Sequence, residues 1–377
     1  MAAEYHSRIG PSTLEIHLNC TGAYKVTADM PGETSEYAQE GTDAHALAEW
    51  KLRKALKQRA GKRPTSDYWT DDMEECTDDY RDCCMDQYGK CLQESKDAIA
   101  FVEQRVDLSN YVPGCFGTVD FMAMSDHTLY VTDLKYGRGV MKDAEGNPQL
   151  MAYGLGALEI AEPIFDVEEV VLTIFQPRLS HISTWTVSVK DLKEWAENVL
   201  KPKIEEATKG EGSFAAGEWC RFCKARNTCR ARADYFLELT KMEFEDPALL
   251  TDDEVAEVMA KADELSHWVS DVMAYASAQA IEHGKHWKGY KLVEGRSVRK
   301  FSVPDATIEE AAKAAGYSDI YNRSLITLTA FEKLMGKEQF QTILGEYVTK
   351  PAGKLTLVPD SDKRPEATIS SNDEFND

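Results

Sequence analysis

No stretch of this sequence approaches the roughly 20 consecutive apolar residues that a bilayer-crossing helix needs, so a helical membrane span is not expected. The segment from Met1 to Cys20 sets Glu15 and His17 among its apolar positions and lacks the apolar core of a secretory signal. A cytoplasmic location is the expectation. No internal repeat is visible, which argues against a solenoid or propeller. Positive charge is also scarce, with 43 Lys and Arg against 65 Asp and Glu and a net charge of −22. Such a balance repels phosphates and counts against a protein that binds nucleic acid over its whole surface.

What is present points to an ordinary globular chain, 43% hydrophobic and 29% charged. Its 377 residues suffice for a full catalytic core and a second, smaller domain. Nine cysteines are many for a reducing compartment, where metal binding or burial accounts for them better than disulfides. The scarce positive charge is clustered. Lys51 to Arg63 holds seven basic residues and no acidic one, and Cys220 to Arg232 holds five and none. Because salt screens charges beyond about 8–10 Å, such runs can form a local basic groove on an acidic body. The plainer alternative is two solvated helix faces.

Apolar periodicity predicts a helix from Ser12-Thr13-Leu14-Glu15 to Cys20, another over Gly41–Ala60, and one long helix over Thr70–Val102. The period then shortens to two. Strands are expected over Glu103–Leu108, Cys115–Met124, Thr128–Leu134, Val167–Gln176 and His181–Val189. Helices are expected from Pro148 to about Ile160, over Val189–Thr208 and over Leu250–His283. A hairpin over Trp287–Val303, short helices near Ile308–Ala315 and Thr329–Leu334, and an acidic, disordered tail from Lys350 complete the reading. The fold class is α/β: a small mixed sheet flanked by helices, with helical additions and a small C-terminal domain.

The chemistry concentrates in Gly117-Thr-Val-Asp120 and Asp133-Leu134-Lys135, on two adjacent expected strands. Side chains alternate along a strand, so Asp133 and Lys135 share a face, and a hairpin can bring Asp120 beside them. Hard carboxylate oxygens suit Mg²⁺ or Mn²⁺, and a lysine beside the ion can orient water and stabilise charge on a phosphate. A carboxylate–x–lysine triplet is weak evidence alone. Upstream, His45 and Glu49 lie one helical turn apart, and His45 offers a nitrogen ligand. Glu103 adds a carboxylate on the preceding strand. Gln149 and Tyr153, again one turn apart, suit contacts with a phosphate, the nucleophile or DNA.

Gly41…His45, Gly117…Asp120, Asp133…Lys135 and Gln149…Tyr153 follow the order and approximate spacing of RecB-like PD-(D/E)XK nucleases, which the chain resembles over roughly residues 7–235. Val119, rather than proline, precedes Asp120, as is common in RecB-like members. The resemblance implies a restriction-endonuclease-like core, with His45, Asp120, Asp133 and the Leu134 carbonyl as metal ligands. Asp120, Asp133, Lys135, Glu103, Gln149 and Tyr153 would then form the catalytic set. DNA would follow the basic runs through Lys51, Arg53, Lys54, Arg138, Arg221, Lys224 and Arg226.

Cys220-x2-Cys223-x5-Cys229 forms a compact trio, and Cys20 precedes it by about two hundred residues. Four thiolates suit zinc and a [4Fe–4S] cluster alike, and spacing does not separate them. The pattern of one early cysteine and a late trio resembles iron–sulfur nucleases of the AddB and CRISPR-adaptation types, which implies a structural [4Fe–4S] cluster joining the two ends of the domain. Cys76, Cys83, Cys84, Cys91 and Cys115 read as small buried hydrophobes, with a second metal site as the alternative.

Expected boundaries are a nuclease domain over 1–235, an accessory domain over 236–350 and a tail over 351–377. The whole chain also resembles an uncharacterised family of phages and prophages. That implies a Mg²⁺- or Mn²⁺-dependent exonuclease acting in recombination or replication, in the bacterial host cytoplasm, with a single-strand-binding or annealing protein as a possible partner. The competing expectations are a DNA-end binder that does not cleave and a zinc-stabilised scaffold.

Overall fold

The computed structural model describes residues 9–30, 36–238, 251–293, 305–316 and 328–348. The chain divides into two compact units, Met1–His283 and Gly284–Asp377. The expected boundary near residue 235 therefore moves to 283/284. Arg232, 1% exposed, explains the shift: it reaches Asp271 at 2.8 Å and Glu264 at 4.0 Å, both on the long helix that follows.

The first unit is built on a five-stranded mixed sheet in the order β1-β2-β3-β4-β5. Its strands are β1 (Ile99–Asp107), β2 (Phe116–Met124), β3 (Thr128–Leu134), β4 (Glu169–Gln176) and β5 (His181–Ser188). β3 pairs antiparallel with β2 and parallel with β4, which is the one crossover. That crossover runs through α5 (Pro148–Ala161), opened by Pro148 and capped by Asn147, whose side chain accepts from the Gln149 and Leu150 N–H groups. α3 (Glu36–Ala55) and α4 (Asp71–Glu94) cover the opposite face.

Two apolar clusters record this layering. Leu150, Met151, Leu155 and Leu158 of α5 pack with Met122, Leu129, Val131 and Leu172. Ala48, Leu52, Tyr80, Cys84 and Cys91 pack on the other face with Phe121, Ala123, Leu134 and Phe175. A strand buried on both faces reads as a continuous apolar run, which is why β3 and β4 were visible in the sequence. Cys76, Cys84, Cys91 and Cys115 are buried thiols outside any disulfide, and Cys83 is half-buried.

Three local differences from expectation have physical causes. The expected helix over 70–102 ends at Glu94, where Ser95 turns extended and bonds Asp126, and residues 99–102 become strand by pairing with Phe121–Met124. The expected helix over 189–208 is α6 (Val189–Trp195), a π-turn over Ala196–Leu200, and α7 (Lys201–Lys209). Pro202 cannot donate to a preceding carbonyl, and the widened turn accommodates it. The N-terminal helix α1 (Leu14–Asn19) follows a 3₁₀ turn at Pro11–Thr13. A short α2 (Ala23–Thr27) lies beyond it.

α8 (Arg230–Leu237) and α9 (Asp252–His283) close the first unit. Within the second unit, α10 (Asp305–Ala314) precedes α11 (Leu328–Met335) and α12 (Lys337–Leu344), the last two joined at Gly336 with φ 77°. Residues 294–303 of the expected hairpin and the expected tail lie outside the described residues. No helix among the described residues is long and apolar enough to cross a membrane.

Candidate functional site

The site forms where β1 and β2 lose their regular pairing. Register places Glu103 opposite Asp120, yet this pair is missing from a ladder that continues on both sides. Glu103 adopts φ 50°, a left-handed conformation that is strained for a residue with a side chain. The inward alternation reverses there as well. Val102 packs on the α3/α4 face but Val106 on the α5 face, and Val119 and Phe121 differ in the same way. The kink turns two carboxylates towards α3.

His45 of α3 meets them, its Nδ1 3.3 Å from Asp120 Oδ1. Among the described residues, His45, Glu103 and Asp120 are the group whose ligand atoms lie within 4.8 Å of one another. The other Asp120 oxygen accepts from the Leu134 N–H at 2.7 Å. A strand residue directs its N–H and C=O to the same side, so the Leu134 carbonyl faces this edge too.

Asp133 stands on the α5 side and is only 4% exposed. Lys135 Nζ lies 2.8 Å from its Oδ2, as expected for residues two apart on one strand. Gln149 joins the set by accepting from Lys135 at 3.0 Å and donating to Asp133 at 3.3 Å and Tyr153 Oη at 3.3 Å. Gly117 makes room, because a β-carbon there would lie 2.8 Å from both Tyr153 Cε1 and Pro11 Cγ.

The electrostatics follow from crowding charge in a buried place. Burial opposes protonation of His45, but Asp120, Asp133 and Glu103 outweigh it and raise its pKa to about 9. Burial and Asp120 raise Glu103 to about 7, against the pull of His45. Burial works against ionised Asp120, yet His45, the Leu134 N–H and Lys135 hold it below its ordinary value. Asp133 goes the other way: burial raises it, Lys135 offsets part of that, and Asp120 adds to the rise. Lys135 stays an ammonium, because Asp133 and Asp120 outweigh its own burial. The acids thus hold a histidine proton and an ammonium between them, and the cluster is built to attract positive charge.

The expected site residues gather in two neighbouring groups. Glu103 stands with His45 and Asp120, whereas Asp133 is engaged by Lys135 and Gln149. The sequence signal for this was slight, a single glutamate on the strand before Asp120. Arg178 was missed altogether. It bonds Glu40 at 2.9 Å, lies 3.4 Å from Asp72 and stacks over Tyr136, beside Lys135 in sequence.

Several residues expected to hold DNA have partners within the protein. Lys51 is 7% exposed and bonds Glu74 and Asp78, each at 2.9 Å. Arg53 bonds Glu49 at 2.7 Å and the Val102 carbonyl at 3.0 Å. Arg226 faces Asp271 at 3.5 Å, and Lys224 donates to the Met30 carbonyl at 3.0 Å. A run of basic letters on a helix meets every side of it, and acidic neighbours take those that turn inward. Lys54 and Arg138 remain largely exposed, Arg221 half-buried.

Cys20, Cys220, Cys223 and Cys229 line one small cavity with Ile16, Ala23 and Trp219. Cys20 Sγ accepts from the Ala215 N–H at 3.5 Å. Burial raises the thiol pKa of Cys220 and Cys223. No three of these sulfurs lie within 4.8 Å of one another. Around them the protein closes by itself. Gly22 N–H donates to the Ser213 carbonyl at 2.8 Å, Ser213 N–H to Thr21 Oγ1 at 3.0 Å, and Thr21 Oγ1 to Glu206 at 2.8 Å.

A family model described as "Protein of unknown function (DUF2800)" matches residues 6–365. A solved structure described as "Crystal structure of SSO0001" aligns at 12% identity over 59% of this chain and 96% of that one, with a TM-score of 0.22. An overlap that loose carries no argument about this fold.

Proposed function

We propose that this chain, which belongs to the DUF2800 family, is a divalent-metal-dependent DNA nuclease of restriction-endonuclease-like fold. One observation carries the reading: His45, Glu103, Asp120, Asp133, Lys135 and Gln149 gather across β1, β2 and β3, three as a ligand-range trio and three as a bonded set beside it. Two or more carboxylates, an imidazole and a backbone carbonyl make a hard donor set that suits Mg²⁺ or Mn²⁺. Such an ion, when bound, offsets charge on the phosphate and acidifies water.

The protein's own groups do the rest. His45, Glu103 and Asp120 would hold the ion, and the Leu134 N–H fixes the Asp120 rotamer. Asp133 and Gln149 aim the Lys135 ammonium. Being protonated, Lys135 orients water and stabilises the charged phosphorane-like transition state rather than removing a proton. Water oxygen then bonds to phosphorus as the bond to the leaving sugar oxygen breaks, the nucleophile giving its proton to bulk water and the leaving oxygen taking one from it. Tyr153, held as a phenol by burial and Asp133, donates no charge but can contact the strand. Among the described residues of the expected DNA path, Lys54, Arg138 and Lys224 are exposed to meet phosphates, Arg138 lying 3.6 Å from Asp72. End resection in phage recombination, alongside a single-strand-binding or annealing protein, is the biological setting that the sequence resemblance favours.

The cysteine cavity supports a [4Fe–4S] group held by Cys20, Cys220, Cys223 and Cys229. When bound, the cluster would crosslink α1 to the 3₁₀ turn Glu218–Phe222 and contribute no chemistry to the distant carboxylates.

The test uses anaerobically purified protein, end-labelled single- and double-stranded DNA and Mn²⁺. Degradation that requires the metal and is lost in Asp120→Ala is the expected result. A protein that binds ends without cleaving them overturns the nuclease reading and leaves the DNA-end binder. Iron content and brown colour, both lost in Cys223→Ser, are expected for the cluster; a colourless zinc protein refutes it.

A further inference from the structure

Two arginines, Arg226 and Arg232, line the cysteine cavity beside Cys20, Cys220, Cys223 and Cys229. Arg232 is 1% exposed. A guanidinium carries five N–H donors in a rigid fork. Nη1 of Arg232 donates to Asp271 at 2.8 Å and to the Arg226 carbonyl at 3.3 Å. Nη2 comes no nearer to Glu264 than 4.0 Å. Like Nε, it has no hydrogen-bond partner among the described residues.

Joining α8 to α9 does not require this side chain. Trp268 already stacks on Phe236 at 5.4 Å, and apolar groups of the same volume often stabilise a buried contact as well as an ion pair does. A buried donor without an acceptor is destabilising in addition. The acceptor it suits is anionic and lies in the cavity, as thiolate and sulfide sulfur would. Other features of the cavity favour the same charge. Burial raises the thiols of Cys220 and Cys223, but backbone hydrogen bonds at Gly217 and Ala225 oppose it, as do the Arg232 and Arg226 guanidiniums. The Ala215 N–H reaches Cys20 Sγ at 3.5 Å. Cys229 is the N-cap of α8, so the electropositive end of that helix adjoins the fourth sulfur.

We propose that Arg232 contacts the group held by the four cysteines directly, its unpartnered N–H groups donating to a thiolate or sulfide sulfur of a [4Fe–4S] cluster. The contact rests on the cluster reading given above and adds a fifth side chain to it. Asp271 and Glu264 hold the other side of the guanidinium, so α9 belongs to the cluster site. Hydrogen bonds to sulfur and a nearby cation favour the reduced, more negative cluster and raise its potential.

The test uses the full chain, purified anaerobically with ¹⁵N-labelled arginine. Dithionite adds one electron and makes the cluster paramagnetic. Electron–nuclear double resonance should then show a coupled arginine ¹⁵N, and the coupling should persist in Arg226→Lys. A reduced iron protein without that coupling, or one that loses it in Arg226→Lys, overturns the contact. Neither spectrum needs a substitution at 232, so a variant that fails to fold there leaves the test intact. Arg232→Gln with Asp271→Asn removes the ion pair as a unit and should shift the midpoint potential downward at unchanged iron content. An unchanged midpoint overturns the contact. Iron content separates the two failures: iron without coupling refutes Arg232 alone, whereas a chain without iron refutes the cluster and the contact with it. No readout depends on nuclease activity.

Discussion

At Gly117 a β-carbon would lie 2.8 Å from Tyr153 and from Pro11, so Gly117→Ala forces one of them to move. We expect a loss of about 1–3 kcal/mol, as in other overpacked cores, seen as a lower melting temperature. Displaced Tyr153 would also loosen Gln149, its partner at 3.3 Å. Lys135→Ala should lower the Mn²⁺-dependent cleavage rate by a factor on the order of 10²–10³ while leaving the melting temperature nearly unchanged. Cleavage at the wild-type rate would remove Lys135 from the mechanism. Residue spacing made Asp120, Asp133 and Lys135 legible, because strand alternation is a rule of covalent geometry. Glu103 was legible only as a neighbour. Its alliance with His45 depends on a left-handed kink, which the residue type disfavours and no sequence pattern announces.

Within α1, His17 is buried, stacks edge-on against Tyr24 and is held neutral by burial, its pKa lowered to about 4. A depressed histidine contributes nothing adverse while the unfolded chain is also neutral, above about pH 6.5. As pH falls from there to about 4, the unfolded state takes up the proton first and stability drops, by about 3 kcal/mol in all. His17→Phe should flatten this decline in urea titrations across the same interval. On α3, charge alone did not say which basic side chains pack inward. Lys51 and Arg53 belong to a basic run in the sequence but serve as internal struts. Lys54→Ala and Arg138→Ala should therefore each reduce the slope of DNA affinity against salt by about one, and Lys51→Ala should leave that slope alone while lowering stability. The strands β2 to β5 were read nearly to their ends, but β1 was read four residues short, its first part being taken as helix. Helix ends were read less well, because caps such as Ser95 draw on tertiary partners.

For the molecule as a whole, the boundary between units illustrates what composition conceals. A shift in character after Cys229 suggested a division near residue 235, yet Arg232 and Phe236 need α9 for their partners. A chain ending at residue 235 leaves a buried guanidinium without its carboxylates, and breaking a buried pair costs about 3–5 kcal/mol. We expect that fragment to be insoluble and one ending at His283 to melt cooperatively by calorimetry.

The hydrogen bonds that knit Thr21 and Gly22 to Ser213 span 192 residues of chain. During synthesis at about 5–20 residues per second, α1 must therefore wait on the order of 10–40 s for its counterpart to leave the ribosome. Until then the nascent polypeptide carries Asp120 and Asp133 on a sheet whose outer brace is absent. The first unit therefore closes only once Ser213 has been made, and slow codons before it would lengthen exposure of the unbraced sheet to proteases.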